Sequence, residues 1–415
     1  MPNDAQPLPE IARAVREDDL RNSQPVYAVW EITLRCDLAC NHCGSRAGKP
    51  RPDELSTAQA LDTVRQLGEM GVREVTLIGG EAYLRHDWPE LVRAIRAAGM
   101  NCSMTTGGRQ VDAAMARTMA DAGLQQVSVS LDGLEATHDT LRGVRGSYRA
   151  ALRTMDLVRE AGITIASNTQ INQLNFGELE QIFEVIAEHG SVGWQVQLTA
   201  AMGRAADRPE WLLQPYQVLE LMPRLIRLKR RGNARGITLF PANNIGYFGP
   251  HEGELRTLFG SGGHWVGCTA GITTLGLEAD GTIKGCPSLP TAEYAGGNLK
   301  SDSLRDVWQR SAKLRVVRDG KELWGFCASC YYADSCQAGC TWTSHVLLGK
   351  AGNMPYCHHR ALELAKQGKR ERIELREKAP GIPFDHGTYA LVLEDAPELA
   401  AQADFLARPL PPGES

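Results

Sequence analysis

Apolar and polar positions along the chain follow two alternating periods. Short apolar, β-branched stretches lie near 26–34, 74–79, 101–105, 126–131, 163–168 and 194–198. Between them, residues 56–70, 88–98, 111–122, 147–161 and 178–189 repeat apolar side chains at the spacing of an amphipathic helix. Ser56 with Gln59 and Asp87 with Glu90 read as capping boxes. Gly71, Gly123 and Gly162 stand where a helix ends on a left-handed residue. This alternation predicts an α/β fold, a parallel sheet with right-handed crossovers curved into a partial (β/α)6 barrel. Further on, 275–277 and 283–286 flank Asp280-Gly281 and predict a β-hairpin. Residues 367–378 mix both charge signs at helical spacing and predict a solvated helix. The stretch 384–393 is apolar enough to pack back on the protein.

Composition adds limits. The chain has 415 residues, 43% of them hydrophobic and 23% charged, the balance of a folded globular protein. A net charge of −4 argues against a nucleic-acid or anionic-membrane partner. No apolar run is long enough to span a bilayer. Asp4, Glu10, Arg13, Arg16, Asp18 and Asp19 interrupt the first 25 residues, which lack a signal-peptide core. A cytoplasmic location is expected. Cysteine is the outlier: 11 are present, an odd number. Without an export signal, clustered thiols point to metal or iron–sulfur sites rather than disulfides.

In parallel β/α folds ligands sit at the carboxyl ends of the strands. The first strand runs into Cys36-x3-Cys40-x2-Cys43, the second into Gly79-Gly80-Glu81 and the third into Thr105-Thr106. The fourth ends at Ser130-Leu131-Asp132-Gly133, the fifth near Asn168 and Gln170, and the sixth carries Gln195 and Gln197. Three thiolates can hold three corners of a [4Fe–4S] cube and leave one iron for a chelating ligand. A zinc knuckle with His42 as fourth ligand is the alternative. The motif and its placement resemble the radical S-adenosylmethionine (SAM) enzymes. That resemblance implies reductive cleavage of SAM and hydrogen abstraction from an unactivated C–H bond. Gly79, Gly80 and Glu81 are similar to the segment that meets the methionine amino group. Ser130 and Arg142 match ribose or carboxylate contacts, Thr105 and Asn168 further cofactor contacts, and His42 the residue near the adenine.

The second group of cysteines reads Cys268, Cys286, Cys327-x2-Cys330-x5-Cys336-x3-Cys340 and Cys357. This spacing is similar to the SPASM extension of peptide-modifying radical SAM enzymes. The resemblance implies two auxiliary [4Fe–4S] clusters, a distal one on Cys327, Cys330, Cys336 and Cys357 and a proximal one on Cys268, Cys286 and Cys340. The proximal set is one ligand short, so either one iron stays open or His264 completes it. One or two zinc sites are the rival reading. Cys102 is left over as a buried free thiol.

The expected domains are an N-terminal arm (1–25), a radical SAM core (26–239), a bridge (240–267), a SPASM domain (268–360) and a C-terminal helix and tail (361–415). Asn243, Asn244, Tyr247, His251 and Glu252 in the bridge, with His264, are candidates for substrate contact or a general base. The resemblance favours a ribosomal peptide or protein as substrate. Oxidation of a secondary alcohol on a sugar or aminocyclitol is the alternative. A flavodoxin- or ferredoxin-type reductant is expected. The arm is shorter than the winged-helix peptide-binding domain of many peptide maturases, which weakens the peptide reading without excluding it, since a separate recognition protein can carry that domain. A ferredoxin-like carrier and a zinc-stabilised binding module are the readings from other classes.

Overall fold

The computed structural model describes residues 12–246, 248–257, 263–265 and 267–411. Six parallel strands lie side by side in chain order: β1 (Tyr27–Thr33), β2 (Glu74–Gly79), β3 (Asn101–Thr106), β4 (Gln126–Ser130), β5 (Thr164–Ile171) and β6 (Gly193–Leu198). The sheet continues beyond these six. A short parallel strand, β7 (Thr238–Pro241), follows β6. On the other side β8 (Thr274–Leu277) runs parallel to β1, and β9 (Thr282–Lys284) and β10 (Gly297–Asn298) add antiparallel edges. The C-terminal half is thereby stitched to the first strand through backbone hydrogen bonds. The predicted hairpin is β8–β9, turning at Gly281 with φ of +91°. Among the described residues no helix is long and apolar enough to cross a membrane.

Alternation within each strand separates core from cavity. Ala28, Trp30 and Ile32 of β1, Val75 and Leu77 of β2, and Val127 and Val129 of β4 are buried in one hydrophobic cluster with the helices outside. That cluster supplies the main stabilisation, about 1.5–3 kcal/mol for each fully buried large aliphatic side chain. The opposite residues line the other, polar face. The Tyr27, Thr76 and Ser103 hydroxyls form a chain across three strands, at 2.9 and 2.8 Å. Thr105 pairs in register with Ser128, and Ser130 with Asn168, which pairs with Gln195.

Local signals held where the backbone demanded them. Ser56 accepts from the Gln59 amide and Gln59 reaches back, and Gly123 ends its helix with φ of +94°. Two did not hold. Asp87 does not cap its helix by its side chain; its carboxylate is drawn to Arg85, 2.6 Å away. Residues 369–377 are not a helix but strand β11 (Lys369–Glu377), paired antiparallel with β12 (Thr388–Asp395). Glu394 takes both Arg370 and Arg372 across that pair, at 3.2 and 2.8 Å, and Ile373 is buried. The run alternates with period two as well as helically, and a partner strand decides between them.

Candidate active site and cluster-binding regions

The first three cysteines occupy a loop clamped from three directions. Cys36 N donates to Gly48 O at 3.0 Å, and Gly48 N donates back to Leu34 O. The end of the helix Glu135–Arg142 accepts Ala39 N and Asn41 N through Arg142 O and Leu141 O. Arg204 donates from Nε to Cys40 O (2.6 Å) and from its backbone to Cys43 O (2.9 Å). Gly80 fits beneath this loop only as glycine, because a Cβ there would stand 2.2 Å from Arg35 O and 2.6 Å from Cys36 Cβ. A Cβ on Gly79 would stand 2.2 Å from Thr33 O. Gly80 thus lies against the start of the cysteine loop and Gly79 against the end of β1, close approaches that glycine permits.

All three sulfurs receive donors. Leu38 N points at Cys36 Sγ and Ala47 N at Cys43 Sγ, each at 3.4 Å, and Arg142 Nη1 at Cys40 Sγ at 3.7 Å. Burial pushes the Cys36 thiol up and the Cys40 thiol up to about 11, although Arg142 works against the latter. Such thiols keep their protons unless a metal takes the charge. Donors aimed at sulfur favour that charged state, so the trio fits a cluster better than three inert core thiols.

Beside the loop lies a buried ion network. Asp132 accepts from Arg142 at 2.5 Å, and His42 Nε2 lies 3.0 Å from the same carboxylate oxygen. His42 Nδ1 lies 3.0 Å from Leu141 O, and the ring is 2% exposed. His42 therefore pins the loop and presents no open face for stacking. Burial opposes ionisation of Asp132, but Arg142 and His42 outweigh it and hold the carboxyl well below the usual range. Arg142 keeps a buried Nε with no hydrogen-bond partner, a donor that a carboxylate completes. Glu81 is buried and accepts from Thr106 Oγ1 and from Gly107 N (2.7 Å); burial pushes its carboxyl up to about 7. Thr105 and Asn168 are partly exposed on the polar face, and Ser130 is buried beside them.

The second group of cysteines forms two sets. Cys327, Cys330, Cys336 and Cys357 line one cavity with Phe248, Tyr332 and His359. Met354 N and Tyr332 N point at Cys327 Sγ and Cys330 Sγ, each at 3.4 Å. Cys268, Cys286 and Cys340 lie within electrostatic reach of one another. Burial pushes Cys286 up to about 12 and Cys340 up to about 11. Four thiols around one cavity and three together elsewhere fit the expected distal and proximal clusters. Cys102 is buried in the main core, and the charged groups acting on its thiol are Arg96 and Glu74, not another cysteine.

Among the described residues the bridge candidates do not converge on a reacting centre. Glu252 accepts from Phe248 N (3.0 Å) and Trp265 N (2.8 Å), organising its own loop. His251 is buried and accepts from Leu410 N at 3.3 Å. Asn244 mimics a strand neighbour, bonding both N and O of Leu198. His264 is exposed, with Nδ1 3.1 Å from Trp265 O, and Trp265 leans on Cys336 O rather than on the proximal trio. Tyr247 lies outside the described residues. Sequence reasoning placed Asp132 at the end of the fourth strand but gave it no role. It also missed Arg204 and Glu54, which accepts from Leu34 N at 2.8 Å; no local motif marks these two.

The profile of the radical SAM superfamily matches residues 30–188, and that of the SPASM iron–sulfur cluster-binding domain matches 268–331. The mycofactocin maturase MftC of Mycolicibacterium smegmatis is 30% identical over 338 residues, 81% of this chain and 82% of that protein. The AdoMet-dependent heme synthase of Nitratidesulfovibrio vulgaris is 27% identical, covering 80% of this chain and 91% of that protein. The fold matches Streptococcus suis SuiB, crystallised with the precursor peptide SuiA, at a TM-score of 0.61 and 17% identity, over 77% of this chain and 72% of that one. With these likenesses and ten of its cysteines gathered into sets of three, three and four, the chain belongs to the radical SAM superfamily, a SPASM-type enzyme that binds SAM and iron–sulfur clusters.

Proposed function

We propose that this enzyme modifies a ribosomally made peptide or protein, by oxidation or crosslinking at an unactivated C–H bond. The observation that carries this reading is the 30% identity, over four-fifths of both chains, to a protein named as a maturase. A reduced [4Fe–4S] cluster with SAM bound supplies the 5′-deoxyadenosyl radical. The rest falls to this chain's own side chains. Cys36, Cys40 and Cys43 hold that cluster, and the free Nε of Arg142 is the donor for a cofactor carboxylate. Thr105, Ser130 and Asn168 offer hydroxyl and amide partners to the nucleoside. Gln170, Gln195 and Gln197, with Ser103 and Ser128, give the polar face paired donors and acceptors that suit main-chain amides. Cys327, Cys330, Cys336 and Cys357, and Cys268, Cys286 and Cys340, would hold two auxiliary clusters, which would supply an electron acceptor or a binding iron for the substrate; the first cluster would draw on an external one-electron reductant.

The relatives named as heme synthases favour a second reading, a macrocyclic substrate. Such a substrate, apolar on its faces and anionic at its edge, calls for cations. Strands β3 to β6 contain no lysine or arginine, which supports the peptide. The test is to incubate the anaerobically reconstituted, reduced enzyme with SAM and size-fractionated extract from producer cells grown in heavy water. Deuterium in 5′-deoxyadenosine with the peptide fraction alone supports the proposal. Label only with the small-molecule fraction overturns it.

A further inference from the structure

A group of side chains outside the three cysteine sets meets where the C-terminal segment crosses the SPASM region. Glu293 belongs to the short helix Thr291–Tyr294, His345 to the helix Thr341–Leu348, and His386 to the loop before β12. One ligand atom from each lies within 4.8 Å of the other two. His386 Nδ1 is 2.8 Å from Gly387 O, a carbonyl that only accepts, so Nδ1 carries the hydrogen and Nε2 keeps its lone pair. That Nε2 stands 3.8 Å from Glu293 Oε1, too far for a hydrogen bond. Glu293 Oε2 is buried with no hydrogen-bond partner. His345 is 8% exposed, and its Nδ1 faces the Tyr294 hydroxyl at 3.0 Å. The backbone holds the geometry: Met202 pairs with His386, and Asp385 O accepts from Gly203 N.

The Glu293 side chain is 41% exposed, yet its Oε2 is shut off from solvent and has no donor within the trio. A cation between the three groups satisfies it. Bonds of 2.0–2.2 Å in tetrahedral geometry place ligand atoms roughly 3.3–3.6 Å apart, so groups that now lie within 4.8 Å of one another close by up to about 1.5 Å on binding. Two imidazoles and a carboxylate suit zinc or ferrous iron rather than magnesium or calcium. His386 is already oriented through its second nitrogen, as metal-bound histidines are. We infer that Glu293, His345 and His386 form a divalent transition-metal site, separate from the iron–sulfur clusters, with a fourth position open to water.

The experiment uses the fully cluster-loaded enzyme under anaerobic conditions, with zinc as the probe. After zinc equilibration and removal of excess, about one zinc per chain is expected beside an unchanged iron content. X-ray absorption at the zinc edge is expected to show nitrogen and oxygen neighbours at about 2.0–2.1 Å. Glu293→Gln and His386→Gln, both at partly exposed positions, are expected to weaken zinc binding by more than ~10-fold while keeping iron and SAM binding. Absence of retained zinc, a sulfur-dominated shell at about 2.3 Å, or full zinc binding in both variants would overturn the inference.

Discussion

Replacing Asp132 by asparagine keeps the side chain's shape and removes its charge. The wild-type carboxylate is fully buried, 2.5 Å from Arg142 and 3.0 Å from His42, and its other oxygen accepts from Gln170 N at 2.7 Å. In Asp132→Asn the Arg142 guanidinium stays buried without its counter-charge. Breaking a buried pair from one side costs about 3–5 kcal/mol. For a chain of 415 residues, about 2.1 cal/mol/K of unfolding entropy per residue turns that cost into a fall of about 3–6 °C in Tm. Arg142 and His42 also grip the cysteine loop, so the first cluster is expected to be lost alongside. The assay is thermal unfolding of the anaerobically reconstituted protein, with iron counted on the same samples. Adding Arg142→Gln removes the stranded charge, so the double variant is expected to melt above Asp132→Asn alone. A single variant within about 1 °C of wild type, or a double variant no more stable than the single, refutes the reasoning.

Four further outcomes follow from the same structure. Burial pushes the Glu31 carboxyl up to about 7 despite Arg51 beside it. A raised folded value means that its contribution is fully present below the unfolded value and is lost as pH rises through the folded one. Wild type is therefore expected to lose up to about 3 kcal/mol between pH 4.5 and 7 that Glu31→Gln does not, read from denaturant midpoints at both pH values. Gly80→Ala drives a methyl group into Arg35 O and is expected to abolish 5′-deoxyadenosine formation with loss of about four irons; normal iron would show that the loop yields. Cys327→Ala is expected to lower iron by about four while sparing uncoupled SAM cleavage, and an unchanged count contradicts the distal assignment. Cys102→Ala is expected to keep all iron, and any loss of iron would make Cys102 a ligand.

The sequence made the barrel legible because one signal, apolar stretches alternating with amphipathic helices, is set locally and then reinforced by the sheet. Cysteine spacing was equally readable, since ligands must recur within a loop's reach. What stayed hidden depends on partners distant in sequence. Arg204 reaches the cysteine loop from 164 positions away. Lys369–Glu377 carries a pattern valid for helix or strand until β12 supplies the register. His42 looked like a stacking residue from its place beside Cys43, and only the fold shows Asp132 and Leu141 closing over it. The bridge residues looked chemical by type, yet Asn244 and Glu252 spend their hydrogen bonds on backbone.

The most direct test of the account is to count iron and sulfide in the anaerobically reconstituted enzyme and to follow 5′-deoxyadenosine after reduction with SAM present. Wild type is predicted to hold about 12 irons and to release 5′-deoxyadenosine, and Cys40→Ala to hold about eight and release none. A wild-type count near four, or SAM cleavage that persists in Cys40→Ala, would contradict the assignment of the three clusters.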